Sequence, residues 1–274
     1  MTRPKTPAPS DCKVSIVDFL NAAPLGWGFE QGYFREGFQV TRDTPAACAR
    51  KLGNGEADVG LIPSIAYQTI PGLTVLPDLC IAADGDVRSV LLLSRHRRLG
   101  ALRRIAADPA SRTSAALLRI LLAEWHGVVP EMTERAGDPR RLLDNFDAVL
   151  AIGDRALVAP KRGLTSFDLA GEWKRRTGLP FVFAFWAVRD GVRLGEGARA
   201  FALSLALGRG NLDAIVSSAA RKVRLPVAEM NAYFRERLVY DLGERERKGL
   251  DLFFRLARAQ GVIDRVAPLR FHAS

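Results

Sequence analysis

The run Val14-Ser-Ile-Val-Asp-Phe-Leu-Asn-Ala-Ala-Pro-Leu-Gly-Trp-Gly28 begins as an apolar strand, stops at the bare amide of Asn21 and turns at Pro24 into a helix-like segment. A strand that passes through a polar turn into a helix is the opening unit of an α/β lobe. The alternation continues outward, extended at Phe38 to Thr41, helical over Pro45 to Leu52 and extended again at Asp58 to Ile62. Two extended runs follow, Leu73 to Ala82 and Val87 to Leu93, the second too apolar to face water. Arg95-His-Arg-Arg-Leu-Gly100 then marks a charged break.

A second unit repeats the rhythm. It reads as a strand at Ile105 to Ala107, a helix from Ser111 to near Glu124, a strand at Ala148 to Ile152 and a helix opening at Gly153-Asp154. Leu164 to Thr177 reads as one amphipathic helix, stopped by Gly178 with Pro180 just beyond. Phe181-Val-Phe-Ala-Phe-Trp-Ala-Val188 has the bulk of a strand that crosses back between lobes, and Gly195 to Gly261 turns helical, with breaks near Gly208 to Gly210, at Pro226 and near Gly243. The predicted division is a disordered tail over residues 1–12, a first lobe made of 13–95 plus 187–274, and a second lobe over 96–186. Its two hinge crossings fall near Ser89 to Arg95 and Ala184 to Arg189.

The whole-chain numbers narrow the classes of function. With 274 residues and 48% hydrophobic content, the chain can fill a core in each of two lobes. Its apolar runs are interrupted well before the roughly 18 residues of a membrane span. The basic, Pro-rich segment Met1 to Ser10 lacks the apolar core of a secretion signal, so a cytoplasmic location is expected. Cys12, Cys48 and Cys80 match no metal spacing, and His96, His126 and His272 are scattered. The net charge of +10 is spread along helices in alternation with acids, and no basic run is interleaved with stacking aromatics. That pattern suits solvated faces with a general attraction for small anionic metabolites, and neither nucleic acid nor membrane is an expected partner.

Several polar residues stand at strand ends where they could converge on one small anion: Asn21, Ser64, Ser89, Ser111-Arg-Thr-Ser114 and Gly153-Asp154. Ser111 to Ser114 sits where a strand gives way to a helix, so unpaired amides and the helix dipole favour an anion there. The same amides would serve equally if Ser111 simply capped its helix. Asp154 is read first as a helix cap, with contact to a substrate hydroxyl as the alternative. Asn21 also suits a plain turn residue before Pro24, and the lone hydroxyl of Ser89 would ordinarily be satisfied by a neighbouring carbonyl. Trp27 and Trp186 are read as core in preference to cleft lining.

The segments Asp18-Phe-Leu-Asn-Ala-Ala-Pro-Leu25, Gly55-Glu-Ala-Asp-Val-Gly-Leu-Ile-Pro-Ser64, Leu76-Pro-Asp-Leu-Cys-Ile81, Val87-Arg-Ser-Val-Leu-Leu-Leu-Ser-Arg95, Ser111-Arg-Thr-Ser114, Ile152-Gly-Asp154 and Gly178-Leu-Pro-Phe-Val-Phe183 closely resemble the chorismate dehydratase family. The resemblance runs in register from about residue 13 to the C-terminal helices. It implies an α/β, two-lobed fold of the type II periplasmic-binding-protein kind with two hinge crossings. It further implies a cytoplasmic enzyme that removes water from chorismate to give 3-[(1-carboxyvinyl)oxy]benzoate in the futalosine route to menaquinone, with neither a metal nor an organic cofactor. On this resemblance Asn21 and Ser89 fall on catalytic positions, and Ser64, Ser111, Arg112, Thr113, Ser114, Gly153 and Asp154 are substrate-binding candidates.

One departure is visible: Ala66 stands where relatives often carry an acid. No His or Cys falls in the matched segments, which leaves amides, hydroxyls, and Asp18 or Asp154 as protein groups to consider. The expected proton acceptor is therefore the enolpyruvyl carboxylate of the substrate itself, with Asn21 and Ser89 orienting and polarising. Two other readings stay open. One is the enzyme of the same pathway that makes 1,4-dihydroxy-6-naphthoate, which would need a positioned base such as histidine in its cleft. The other is a non-catalytic cytosolic binding protein for a small carboxylate.

Overall fold

In the computed structural model, which describes residues 12–273, the alternating segments assemble into two five-stranded mixed sheets, one in each lobe. The first sheet runs in the order Phe38–Asp43 (β2), Cys12–Val17 (β1), Val59–Pro63 (β3), Phe181–Arg189 (β10) and Leu73–Ala83 (β4). The second runs Glu131–Glu134 (β7), Arg104–Ala107 (β6), Ala148–Ile152 (β8), Val90–Ser94 (β5) and Thr165–Asp168 (β9). Within them β1 pairs parallel with β2 and β3, and β6 pairs parallel with β7 and β8. The strand arriving from the other lobe runs antiparallel to both its neighbours, β10 in the first sheet and β5 in the second.

The helices are Ala23–Glu30 (α1), Pro45–Gly53 (α2), Arg112–His126 (α3), Pro139–Leu142 (α4), Gly153–Leu157 (α5), Leu169–Thr177 (α6), Arg199–Gly210 (α7), Leu212–Val223 (α8), Val227–Ala232 (α9) and Glu244–Ala259 (α10). Local chemistry explains their ends. Thr44 caps α2 by accepting from Ala47 N, with Pro45 in the first turn. Gly127 and Gly178 end α3 and α6 in the left-handed region, at φ 62° and 71°.

Strand pairing moves both crossings from their expected places. Val90–Ser94 is hydrogen-bonded on one side to β8 and on the other to β9, so β5 belongs wholly to the second sheet. Phe181–Arg189 likewise lies between β3 and β4 and belongs to the first. The chain thus passes between sheets at residues 84–89 and again at 178–180, in each case ahead of the strand that was expected to contain the hinge. The single helix expected over Leu164 to Thr177 is also divided. Thr165–Asp168 pairs along β5, and the helix starts only at Leu169, because the Asp168 carboxylate accepts from Ala170 N and Gly171 N and fixes the first turn there. Of the expected N-terminal tail, residues 1–11 lie outside the described part, while Cys12 opens β1.

The first lobe is filled by an aromatic cluster in which Phe29, Phe38, Trp186 and Phe201 meet with ring centroids 4.9–6.4 Å apart. Trp186 is completely buried in it, as a core residue would be. A second cluster joins Trp173, Phe181 and Phe253, so α6 and α10 pack over β10. Helix α1, which follows Asn21 directly, is held against α7 by Ser204, whose Oγ donates to Leu25 O at 2.7 Å and accepts from Gly28 N at 2.9 Å. The two helices approach so closely at Gly208 that an added Cβ would collide with the backbone carbonyl of Pro24.

Alanine usually stabilises a helix interior over glycine by about 1 kcal/mol, but here the collision is with backbone and reverses the sign. Gly208→Ala is therefore expected to lower stability by about 1–3 kcal/mol, read as a shift of the urea unfolding midpoint.

Candidate active site

In open α/β sheets a ligand site forms beyond the carboxyl ends of the parallel strands, where loops diverge and leave backbone groups free. Both sheets direct those ends to the same place. β1 ends at Val17 and runs into Phe19 and Asn21, β3 ends at Pro63, β6 leads to Ala110 and Ser111, and β8 ends at Ile152 before Gly153. The antiparallel strands complete the ring, because the start of β5 sits beside the end of β8 and Ala184 of β10 sits beside Pro63. Between them lies a cavity that opens to solvent at the junction of the two sheets.

Its walls are mostly apolar, from Val17, Phe19, Ile81, Val90, Ile152 and Phe183. Its polar groups are Asn21, Ser89, Ser111, Arg112, Thr113 and Ser114. Three of these carry buried oxygens with no hydrogen-bond partner among the described residues: Asn21 Oδ1, Ser89 Oγ and Ser111 Oγ. Such groups are rare in folded proteins because each costs about 1–3 kcal/mol, and three in one cavity is the pattern of a site that awaits polar ligand atoms. The Ser111 side chain makes no capping bond to α3.

Each of the three is held by its surroundings. Asn21 lies in a short 3-10 turn, Leu20–Ala22, and Tyr240 donates from its hydroxyl to the Asn21 carbonyl at 2.9 Å. Ser89 follows Arg88, a non-glycine residue at φ 67°, a conformation that costs about 1–2 kcal/mol. The Asp168 carboxylate stabilises that turn by accepting from Arg88 N at 2.6 Å, while its other oxygen caps α6. Burial pushes the Asp168 carboxyl upward, against the pull of the Arg88 and Gly171 amides. The wholly buried Tyr233 has its phenol beside Ser89, and burial raises that phenol well above the ordinary tyrosine range. Ser111 sits at the entry to α3, whose first amides have no helical acceptor, and Arg112 is exposed at the cavity mouth.

Not every candidate reaches the cavity. Ser64 is fully buried, and its Oγ donates to Val182 O at 2.8 Å and lies 3.5 Å from Thr113 Oγ1. Thr113 accepts from Ile65 N at 3.3 Å, so it lines the cavity and also ties the second lobe to the first. Asp154 neither caps a helix nor lines the cavity, because it stands inside the first turn of α5 with Oδ1 accepting from Leu20 N at 2.9 Å and Oδ2 paired to Lys222 at 3.2 Å. Gly153 does line it, at φ 60°, with its Cα against the Phe19 ring, where an added Cβ would come within 2.9 Å. Asp18 is exposed and paired with Arg42 at 2.8 Å. Trp27 faces a separate groove, and Ala66 lines a neighbouring one beside Thr69 and Arg119.

Sequence reasoning missed Phe19, Phe183, Tyr233, Tyr240 and Asp168. Phe19 lies within the opening motif and could have been read from it. Tyr240 acts on a partner 219 positions away, for which local pattern carries no signal. Among the described residues no cluster of His, Cys, Asp and Glu is arranged to hold a metal, and no helix is long and apolar enough to cross a membrane.

By fold this is a two-lobed α/β protein of the type II periplasmic-binding-protein class. The periplasmic aliphatic sulphonate binding protein SsuA of Escherichia coli superposes with a TM-score of 0.62 at 15% identity, covering 97% of this chain and 95% of that one. A structural-genomics protein of Archaeoglobus fulgidus superposes at 0.76 with 21% identity, covering 92% and 98%. Sequence comparison goes further. The menaquinone biosynthesis family pattern matches residues 12–259, and the chorismate dehydratase of Thermus thermophilus is 35% identical over 268 residues, 88% of this chain and 93% of that protein. The Campylobacter jejuni chorismate dehydratase is 27% identical over 176 residues, 61% of this chain and 63% of that protein. The chain belongs to the menaquinone biosynthesis family.

A hydroxyl that satisfies nothing in the folded state contributes nothing to stability. Ser111→Ala is therefore expected to leave the unfolding free energy unchanged within about 1 kcal/mol, or to raise it, in a urea titration.

Proposed function

We propose that this chain is a chorismate dehydratase, a hydro-lyase that converts chorismate to 3-[(1-carboxyvinyl)oxy]benzoate in menaquinone biosynthesis and acts in the cytoplasm. The observation that carries the reading is the mostly apolar cavity at the junction of the lobes, with three lining residues whose buried oxygens have no partner among the described residues. Family membership and the Thermus relative support the choice of substrate.

Chorismate brings two carboxylates, a ring hydroxyl and an enolpyruvyl ether. One carboxylate is matched by the unpartnered Ser111 hydroxyl and the first amides of α3, with Arg112 among the lining residues. Gly153 lets the Phe19 ring lie close against the backbone and form an apolar wall beside the substrate ring. Loss of the ring hydroxyl and of the proton on the neighbouring ether-bearing carbon gives a benzene ring. The C–H electron pair becomes a ring π bond, the C–O bond breaks, and hydroxide leaves with a proton as water. Much of the driving force is aromatisation, so the protein has to position, polarise and exclude water.

The described cavity lining holds no carboxylate, imidazole or lysine. His96 is 3.7 Å from Asp147 on an exposed face, and neither it nor His126 reaches the site. That lining speaks against the histidine-dependent naphthoate reaction. It favours transfer of the proton to the substrate's own enolpyruvyl carboxylate, folded over the ring within the closed cavity. Asn21 and Ser89 take the catalytic roles, holding the departing hydroxyl and the acceptor carboxylate in register.

Incubation of the purified protein with chorismate should yield a product lighter by one water, with the ultraviolet spectrum of a substituted benzoate. Recovery of unchanged chorismate would refute the proposal. Asn21→Ala and Ser89→Ala should each lower kcat by about 10²–10³ while KM moves only a few-fold, as for the loss of one donor to developing charge. Full turnover in both variants would remove the assigned roles.

A further inference from the structure

The 3-10 turn that carries Asn21 is gripped on both sides. On one side the Asn21 carbonyl accepts from Tyr240. On the other, the Leu20 amide donates at 2.9 Å to Asp154, a residue 134 positions away in the opposite lobe. Beside this bond the Phe19 ring lies on the Cα of Gly153. The second oxygen of Asp154 is paired with Lys222 of α8, also on the first-lobe side, at 3.2 Å. A carboxylate in the first turn of a helix, with both oxygens engaged by the facing lobe and a C-terminal helix, has no oxygen left to face the cavity, and the cavity lining includes its neighbour Gly153 without it.

We infer that Asp154 is a positioning residue: it latches the second lobe onto the Leu20 amide and thereby sets Asn21 opposite Ser89 when the lobes close. Asp154 is part of the second lobe and Leu20 of the first, so this bond forms only with the lobes together. The peptide it fixes lies next to Asn21, so closure and assembly of the polar site are the same event. Lys222 of α8 takes the carboxylate oxygen that Leu20 does not use, so both oxygens of Asp154 engage the first-lobe side of the junction. The turnover part of this inference rests on the dehydratase reading, whereas the geometric part does not.

Hydrogen exchange of the Leu20 amide and steady-state turnover of chorismate separate the outcomes. In the unmutated protein the Leu20 amide is expected to be protected. Asp154→Ala should accelerate its exchange about tenfold or more and lower kcat by about tenfold, the scale of one lost charge-assisted hydrogen bond. Asp154→Asn, whose amide oxygen still accepts from Leu20, should keep the protection and at least half of kcat. That rescue is what a general loss of packing would not produce.

Unchanged protection and unchanged kcat in Asp154→Ala would overturn the latch. So would an Asp154→Asn variant that keeps the Leu20 amide protected yet loses turnover as completely as Asp154→Ala, because the carboxylate would then be acting on substrate. Should Asp154→Ala fail to fold, the unmutated chain still decides: exchange of Leu20 as fast as in an unstructured peptide would rule out the bond. Unmutated protein that leaves chorismate untouched would refute the dehydratase reading alone, and the exchange measurements would still judge the latch.

Discussion

Burying an oxygen without a partner costs about 1–3 kcal/mol, and this fold accepts that cost at Asn21, Ser89 and Ser111 around one cavity. The rest of the site is arranged so that these groups stay unsatisfied. The turn that carries Asn21 is fixed by the Leu20 amide on Asp154 and by the Asn21 carbonyl on Tyr240. Ser89 follows the left-handed Arg88, itself held by Asp168, and its own carbonyl accepts from Gly153 N at 2.8 Å. Ser111 opens a helix without capping it. Preorganisation of this kind places polar groups before the ligand arrives, so that little reorganisation remains when charge moves.

The cavity is not the property of either lobe. Phe19 on Gly153, Leu20 on Asp154 and Ile65 on Thr113 all join one sheet's strand ends to the other's, and each lies beside a lining residue. A site assembled from contacts across a junction is complete only when the junction is shut. Binding and closure are then one process, with water expelled as the polar groups come into line. Thr113 shows how tightly the two tasks are combined, since it lines the cavity and bridges to the first lobe through the same oxygen.

The two lobes were legible because hydrophobic alternation and strand-to-helix turns are local signals, and nearly every strand and helix used to build the site appears near its expected place. The exceptions have physical causes. Leu164 to Thr177 carries a helical apolar stripe, yet Asp168 satisfies the first amides of α6 and leaves its predecessors to pair along β5. The hinge positions were misplaced because an apolar strand reads alike in either sheet, and only hydrogen bonding to β8 and β9 assigns β5 to the second. Within the site, Asn21 and Ser89 stood out through family resemblance and not through pattern. Ser64 and Asp154 share those motifs but spend their oxygens elsewhere, Ser64 on Val182 of its own sheet and Asp154 on Leu20 across the junction. Such partners are more than 100 positions distant, and no sequence period reports them.

The absence of an ionisable base from the described lining is consistent with the electrostatics of the proposed substrate. A dianion enclosed among apolar walls would be repelled by any carboxylate placed nearby, and in low dielectric that repulsion is weakly screened. Uncharged amides and hydroxyls avoid the penalty while still polarising a hydroxyl as it departs. The positive charge stays at the rim, on the exposed Arg112, where it attracts the anion without needing to be desolvated. A substrate that carries its own proton acceptor and gains an aromatic ring leaves the protein a geometric task. The latched turn at Asn21 and the strained turn at Ser89 are suited to it, because each fixes a neutral polar group beside a mostly apolar cavity.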